Sequence, residues 1–534
     1  MKNIIEKRFG KPIEDVSKDE LLLLIDELNS KKKYGLVWEE QVEEVEEFLK
    51  ANYPVLKEVK EREIVTDPSK PMNLLIEGDN LHALNTLLYT HREKVDVIYI
   101  DPPYNSGNKD FFFNGEEVKL DDAWRHSKWA SFIYARLILS KELLAINGVV
   151  YIHIDDNELA QLKLLCNQVF GENNFIAMFT WRKRRTHGRG DKFVNSQTEY
   201  ILCYSKNKQM CNHFFTDKSD RVLAQYKYED EHGKYLRERL HHSSPKGKYV
   251  RKSLQYDLII DGKEIYCPTG QWLWSKKRVD AEYKNGNIEV IQDDEGRWRA
   301  YRKLRLKDEN GRSKGAKPIS LIDYTRMTNE IGTKELGEIF GKSVFPHPKP
   351  IAVAKELLSY TNLNNAIILD FFAGSGTTGH AVLDLNKEDG GNRQFILVTN
   401  KENNICEEVT YERIKRVING YTTPKGKEVD GLGGNLKHYR TEFISKDAYT
   451  DEIKMKLARK SRDLLAIKEN CFNPHIERPH YAILTSEEKA VAIYSHIISL
   501  SSLNELRDAL VALPQNEKIL YVLMLEEGEE LSYE

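Results

Sequence analysis

Asp101-Pro102-Pro103-Tyr104 directly follows the apolar run Val95–Ile100, and these residue types in this order suit the holding of a planar amine. Two successive prolines fix the backbone and remove two amide donors, so the loop presents carbonyl oxygens beside a carboxylate and an aromatic ring. Asp101 and the Pro102 carbonyl can accept the two N–H bonds of such an amine, Pro103 stiffens the loop, and Tyr104 can stack on the attached ring. A plain Asp-Pro turn is common after a strand; the second proline and the tyrosine make this one more selective.

A second constellation lies 273 residues further on. Ala366–Asp370 reads as a buried strand, and Phe371-Phe372-Ala373-Gly374-Ser375-Gly376-Thr377-Thr378-Gly379 reads as a glycine-rich turn opening a helix. Glycine lets the backbone pass close to a ligand, and a helix N-terminus offers free amides. Gly374 to Gly379 fits G-x-G-x-x-G, a turn used for nicotinamide, flavin and S-adenosylmethionine alike. No lysine follows the glycines, so it is not a nucleotide triphosphate loop.

The elements around both motifs alternate between strand and helix. Asn73–Glu77, Val95–Ile100, Val149–Ile154, Ala366–Asp370 and Gln394–Thr399 read as buried strands. Leu81–Tyr89, Ser127–Ala145, Ile351–Tyr360, Thr377–Asn386 and Asn403–Ile418 read as helices. This alternation predicts an α/β fold, a doubly wound Rossmann-like parallel sheet with helices on its faces. The pattern lapses over residues 181–335, which are rich in Lys, Arg, Tyr and Trp. From Trp181 to Glu330 there are 33 Lys and Arg against 21 Asp and Glu, a balance of +12 in a chain whose net charge is −3. Such asymmetry predicts that one segment faces a polyanion.

Five segments are expected: a helical 1–70, sheet halves at 71–180 and 336–420, the basic insertion 181–335, and a small α/β unit at 421–534. In the first, Ser17 and Glu20 have the spacing of a capping box before Leu21–Ile25, and a second helix is expected from Glu39 to about Ala51. In the last, helices are expected near 451–468 and 485–500, with a strand at Lys518–Met524. A length of 534 residues fits several domains, and no apolar run is long enough to span a bilayer. Six scattered cysteines without a C-x-x-C pair suit neither a disulfide framework nor a zinc site, and fit a reducing cytoplasm.

Taken together, the two motifs resemble the amino-methyltransferases of DNA, in the permuted (beta) order with the recognition domain between them. Asp101-Pro-Pro-Tyr-Asn-Ser-Gly107, Tyr151-Ile-His-Ile-Asp-Asp-Asn157-Glu158, Gly332-Thr-Lys-Glu-Leu336, Phe371–His380 and Gly390–Leu397 resemble the modification (Mod) subunit of type III restriction-modification systems. The resemblance covers roughly residues 70–440. It implies S-adenosylmethionine as cofactor, held by Asp370, Phe372, Gly374, Ser375, Gly376 and Thr377, with Asp79 at its adenine and Lys349 closing over the methionine end. The ribose is usually held by an acidic residue after the next strand, where this chain offers Asn400 and Glu402. The resemblance also implies that the target base flips into the site and that Asp101 to Tyr104 act on it. Asp at the head of the loop leans towards adenine N6, since the cytosine-N4 enzymes more often carry Ser there. The insertion becomes the recognition domain for double-stranded DNA. Its candidate contacts are Trp181, Arg182, Lys183, Arg184, Arg185 and Arg189, then Arg297, Arg299, Arg302, Lys303 and Arg305, with Arg312–Lys317 beyond. The same resemblance implies a homodimer and an optional helicase-nuclease restriction subunit, while the lack of a long apolar run and the scattered cysteines predict no membrane and a cytoplasmic site of action. The alternatives are a cytosine-N4 methyltransferase, a nicotinamide- or flavin-dependent oxidoreductase built on the glycine turn, and a non-catalytic DNA-binding subunit.

Overall fold

The computed structural model describes residues 16–17, 36–186, 193–216, 223–243, 246, 249–306, 316–447, 450–494 and 500–522. Glu20 of the expected capping box and the helix expected at Leu21–Ile25 lie outside these. The chain divides into two compact units, one formed by the described residues of 1–212, 320–357 and 363–534, the other by those of 213–319 and 358–362.

The larger unit is built on an eleven-stranded sheet. Ten strands are named here: β1 (Asn52–Glu58), β2 (Met72–Glu77), β3 (Val95–Ile100), β4 (Leu144–Ile154), β5 (Phe175–Arg182), β6 (Thr198–Ser205), β7 (Leu321–Ile322), β8 (Ile367–Asp370), β9 (Gln394–Thr399) and β10 (Asn435–Ser445). Their order is β1-β10-β2-β9-β8-β3-β4-β6-β5-β7, with Ile64–Val65 also paired to β10. The six strands from β10 to β4 run parallel. The central ones are buried along almost their whole length, because helices cover both faces of such a sheet and leave no polar side to alternate with. Helices Asn80–His91 and Arg125–Leu143 connect β2 to β3 and β3 to β4, and Thr377–Asp389 connects β8 to β9, as a Rossmann-like doubly wound sheet requires.

Several expected boundaries move. Residues 181–212 supply β6 and the end of β5, and 320–335 supply β7, so the insertion proper is 213–319. Asn52–Glu58, expected within a helical segment, is an edge strand antiparallel to β10, and the helix before it begins at Glu44 rather than Glu39. β10, expected in a separate C-terminal unit, lies inside the main sheet beside β2. The remainder of the C-terminal segment forms helix Thr450–Glu469 and a four-stranded sheet, and the expected helix at 485–500 is instead strand Lys489–Tyr494, followed by a helix at Leu500–Val511.

The smaller unit has its own antiparallel sheet (Tyr228–Asp230, Gly233–Arg239, Trp298–Arg305, Ile288–Gln292) and helix Lys276–Lys284. Leu240, Leu258, Trp272, Val279 and Ile288 form its core. Among the described residues no helix is long and apolar enough to cross a membrane.

Candidate active site

β8 and β3 are neighbours, with Ile368 opposite Val97 and Leu369 opposite Ile98. From this pair the sheet continues in opposite directions, β8 to β9 on one side and β3 to β4 on the other. That reversal is a topological switch point, where a crevice opens beyond the C-terminal ends of the strands. Asp101 leaves β3 and Asp370 ends β8 at this crevice, so the two motifs meet there. A cavity of about 820 Å³ is lined by Asp79, Asp101, Pro102, Pro103, Lys349, Asp370, Phe372, Gly374, Ser375, Thr377, Asn400 and Glu402. Tyr104 and Gly376 are the two residues of the predicted catalytic and cofactor sets that do not line it.

The glycine turn is held from below. Gly374 and Gly376 adopt φ of +47° and +77°, and a Cβ on Gly374 would come within 3.0 Å of the Phe345 ring. Thr410 Oγ1 donates to the Gly374 carbonyl at 2.6 Å. Buried Arg413 donates to the Ser375 carbonyl at 3.2 Å, the Ser375 hydroxyl at 3.0 Å and Thr377 Oγ1 at 2.9 Å. Burial lowers the Arg413 pKa to about 10. Asp370 accepts from the Phe372 amide at 3.0 Å and from the Thr378 hydroxyl. Burial pushes its pKa up to about 7 against the pull of those two bonds.

On the opposite wall Asp79 caps helix Asn80–His91, accepting from the Leu81 amide at 2.7 Å. Asn80 Nδ2 donates to the Phe371 carbonyl at 3.1 Å, which ties this loop to the end of β8. Fully buried Arg136 donates to Asn80 Oδ1 and, at 2.6 Å, to Glu43, and lies 3.7 Å from Asp79 Oδ2. After β9 the chain turns through Asn403 and Asn404, at φ of +50° and +56°, into a π-helical stretch, Ile405–Tyr411, before helix Glu412–Asn419. Such distortions gather at ligand sites, and Asn400, Glu402 and Asn403 all face the cavity.

The Asp101–Tyr104 loop is equally constrained. Trp129 Nε1 occupies the Pro103 carbonyl at 2.7 Å, whereas no described residue engages that of Pro102. The Tyr104 hydroxyl donates to Asp101 Oδ1 at 2.8 Å and lies 3.1 Å from Glu199 Oε2. Lys349 Nζ sits 2.8 Å from Asp101 Oδ2 and 3.5 Å from Glu199 Oε2. Its side chain thus reaches the Asp101–Tyr104 loop, while its carbonyl accepts from Thr377 of the glycine turn at 3.3 Å. Burial disfavours the Lys349 ammonium, but Asp101 and Glu199 more than offset this and raise its pKa. Burial likewise opposes the Glu199 carboxylate, which Lys349 and Lys183 nevertheless hold at about 2. Burial and the two carboxylates keep the Tyr104 hydroxyl protonated. Beneath them His153 is neutral, its pKa lowered by burial to about 4, and its ring meets Tyr99 edge-on at 5.0 Å.

Most of the predicted DNA contacts are engaged within the protein. Trp181 is fully buried, donates from Nε1 to the Met327 carbonyl at 2.6 Å and packs on His153, so it is a core residue and not the DNA contact expected. Lys183 belongs to the site, 3.0 Å from Glu199 Oε1. Arg182 and Arg185 both approach Asp323, at 3.5 and 2.6 Å, while Arg184 is half-buried and Arg189 lies outside the described residues, as do Arg312 and Lys314. In the smaller unit Arg297 and Arg299 bind Asp293, Arg302 binds Glu238, and Lys303 and Arg305 bind Asp230. These five were expected as free phosphate partners, but their charge is largely compensated within the sheet. Arg305 and Lys303 hold the Asp230 carboxyl well below the usual carboxylate range.

Glu199, Arg136 and Arg413 escaped the sequence reading. None stands in a recognisable motif, and each reaches the site through the packing of strands or helices far away in the chain. A further buried group, Glu77, Cys406 and His438, has donor atoms within 4.8 Å of one another. Arg440 at 2.9 Å from Glu77 and Arg62 at 3.5 Å from His438 Nδ1 make it an ion-pair network.

A crevice at the switch point of a doubly wound sheet, with a glycine turn after one strand and the Asp101–Tyr104 loop after the next, is a ligand site of the Rossmann-like class. The chain belongs to the DNA methylase family, whose model matches residues 95–412. More narrowly, it is similar to Mod subunits of type III restriction-modification enzymes. It is 33% identical over 480 residues to the EcoPI Mod subunit of Escherichia phage P1, covering 78% of this chain and 73% of that one. It is 32% identical to the StyLTI Mod subunit of Salmonella typhimurium, over 69% of this chain and 60% of the relative. With the type II methyltransferase M.KpnI of Klebsiella pneumoniae it shares 31% identity over 69% of this chain and 90% of that one.

Proposed function

We propose that the protein transfers a methyl group from S-adenosylmethionine to the N6 amine of an adenine flipped out of duplex DNA, as the modification subunit of a type III restriction-modification system. The observation that carries this reading is the shared cavity: Asp101 and the open Pro102 carbonyl stand on the strand next to the glycine turn. The residues fit the cofactor. Gly374 lines the cavity at a positive φ that glycine favours, and Asp79, Glu402 and Asn400 offer acceptors for amine and hydroxyl groups along the same cavity. When bound, S-adenosylmethionine supplies an electrophilic methyl on a sulfonium.

The chain's own groups do the rest. An exocyclic amine is a poor nucleophile because its lone pair is delocalised into the ring. Accepting its two N–H bonds at Asp101 and the Pro102 carbonyl favours a pyramidal nitrogen and stabilises the positive charge that develops there. Flipping a base costs a few kcal/mol, and stacking on Tyr104 recovers about 1–3 kcal/mol of that. The Tyr104 ring can do this only in a fixed plane, and its hydroxyl bond to Asp101 fixes it. The smaller, basic unit serves as the recognition domain. A homodimer, an optional restriction subunit and cytoplasmic DNA as the target belong to the same reading.

The test is to methylate unmodified DNA with labelled S-adenosylmethionine, digest it and identify the nucleoside. N6-methyladenine is the expected product, N4-methylcytosine would move the reading to the cytosine enzymes, and no label in DNA would reject it. Asp101→Ala should abolish transfer while cofactor affinity stays close to wild type.

A further inference from the structure

Asp101, which is partly exposed, shares both of its bound donors with a buried carboxylate, Glu199. The Tyr104 hydroxyl lies 2.8 Å from Asp101 Oδ1 and 3.1 Å from Glu199 Oε2. The Lys349 ammonium lies 2.8 Å from Asp101 Oδ2 and 3.5 Å from Glu199 Oε2. Two acids and two donors therefore close a ring, and Lys183 pins the far oxygen of Glu199 at 3.0 Å. Glu199 is 4% exposed and comes from β6, outside both motifs.

A carboxylate offers about four lone-pair sites. Tyr104 and Lys349 occupy one on each oxygen of Asp101, which leaves one on each for an incoming amine. We propose that Glu199 is a positioning residue of the transfer site: by sharing Tyr104 and Lys349 it keeps those two donors from saturating Asp101 and fixes which lone pairs face the target amine. This inference rests on the methyl-transfer reading above. Without Glu199 the ammonium has Asp101 as its sole counter-charge and is free to turn a further N–H onto it, and the Tyr104 ring loses its second tether. The groups facing Lys349 are Asp101, Glu199, Tyr104 and neutral His153, with Lys183 across Glu199. Because its two lysines keep Glu199 ionised, it acts as a fixed charge and carries no proton.

The experiment uses the full chain carrying Glu199→Gln, which preserves side-chain volume. Single-turnover methylation of duplex DNA is followed across neutral and alkaline pH, alongside cofactor titration and thermal unfolding. A displacement of about 1 Å in a reacting group costs about 10²-fold in rate, and a loss of that order is expected with cofactor affinity unchanged. The alkaline limb of the profile should also move to lower pH, because Lys349 loses one of two counter-charges. Glu199→Asp retains the charge and should restore the position of that limb. A wild-type rate and profile in Glu199→Gln overturns the proposal, as does a parallel loss of rate, cofactor affinity and melting temperature, which would mark a packing role. Failure of the wild-type protein to methylate DNA would instead reject the underlying function.

Discussion

Gly332→Ala sets a local preference against a tertiary contact. Gly332 lies within helix Asn329–Phe340, where alanine is favoured over glycine by about 1 kcal/mol. A Cβ there would stand 2.2 Å from the Pro348 carbonyl oxygen, and 2.9 Å from both the Lys349 carbonyl carbon and the Pro350 nitrogen. Ordinary contact begins near 3.4 Å, so the Pro348–Pro350 backbone must retreat by about 1.2 Å, with no flexible side chain to absorb the change. That backbone is tethered, since Glu335 of the same helix accepts the Ile351 amide at 2.9 Å and Thr377 donates to the Lys349 carbonyl. The Lys349 ammonium moves with its backbone and leaves its 2.8 Å contact with Asp101. We expect a single-turnover rate reduced about 10²-fold and a lower melting temperature, the contact outweighing the helical gain. Rapid-quench methylation and thermal unfolding on the same preparation measure both. A variant that melts higher and reacts at the wild-type rate would refute the idea that this close approach seats Lys349.

Trp181→Ala should cost about 3–5 kcal/mol of stability, as removal of a buried tryptophan does, and leave the DNA affinity of the folded protein intact. Denaturant unfolding and a DNA titration would show this, and a selective loss of DNA affinity would return Trp181 to the interface. Lys303→Ala should leave the salt dependence of DNA binding unchanged, because Lys303 already binds Asp230 at 2.7 Å; a slope lower by about one would show that it meets a phosphate. Asp370 has a folded pKa of about 7, above its unfolded value of about 3.9, so the folded state holds the extra proton and stability falls as pH rises from about 4 to about 7. Asp370→Asn should therefore flatten the pH–stability curve in that window, and a wild-type slope in the variant would contradict the burial.

Much of the fold and the site is legible in residue order alone. A buried parallel strand has to be apolar throughout, so Val95–Ile100, Ala366–Asp370 and Gln394–Thr399 declare themselves. Loops at their ends spell the proposed site in contiguous letters, from Asp101 to Tyr104 and from Phe371 to Gly379. Tertiary structure decided what depends on a partner elsewhere in the chain. Asn52–Glu58 and Asn435–Ser445 are strands because each finds the other, along with β2, across hundreds of residues. The arginines of Trp298–Arg305 look free in sequence, yet they face Asp230, Glu238 and Asp293 once neighbouring strands and turns come together. Glu199 is an ordinary residue in an ordinary strand until an antiparallel return sets it beside Lys349. Periodicity and turn chemistry are local and can be read along the chain. Charge compensation and shared hydrogen bonds act between distant segments, and only the folded arrangement sets them.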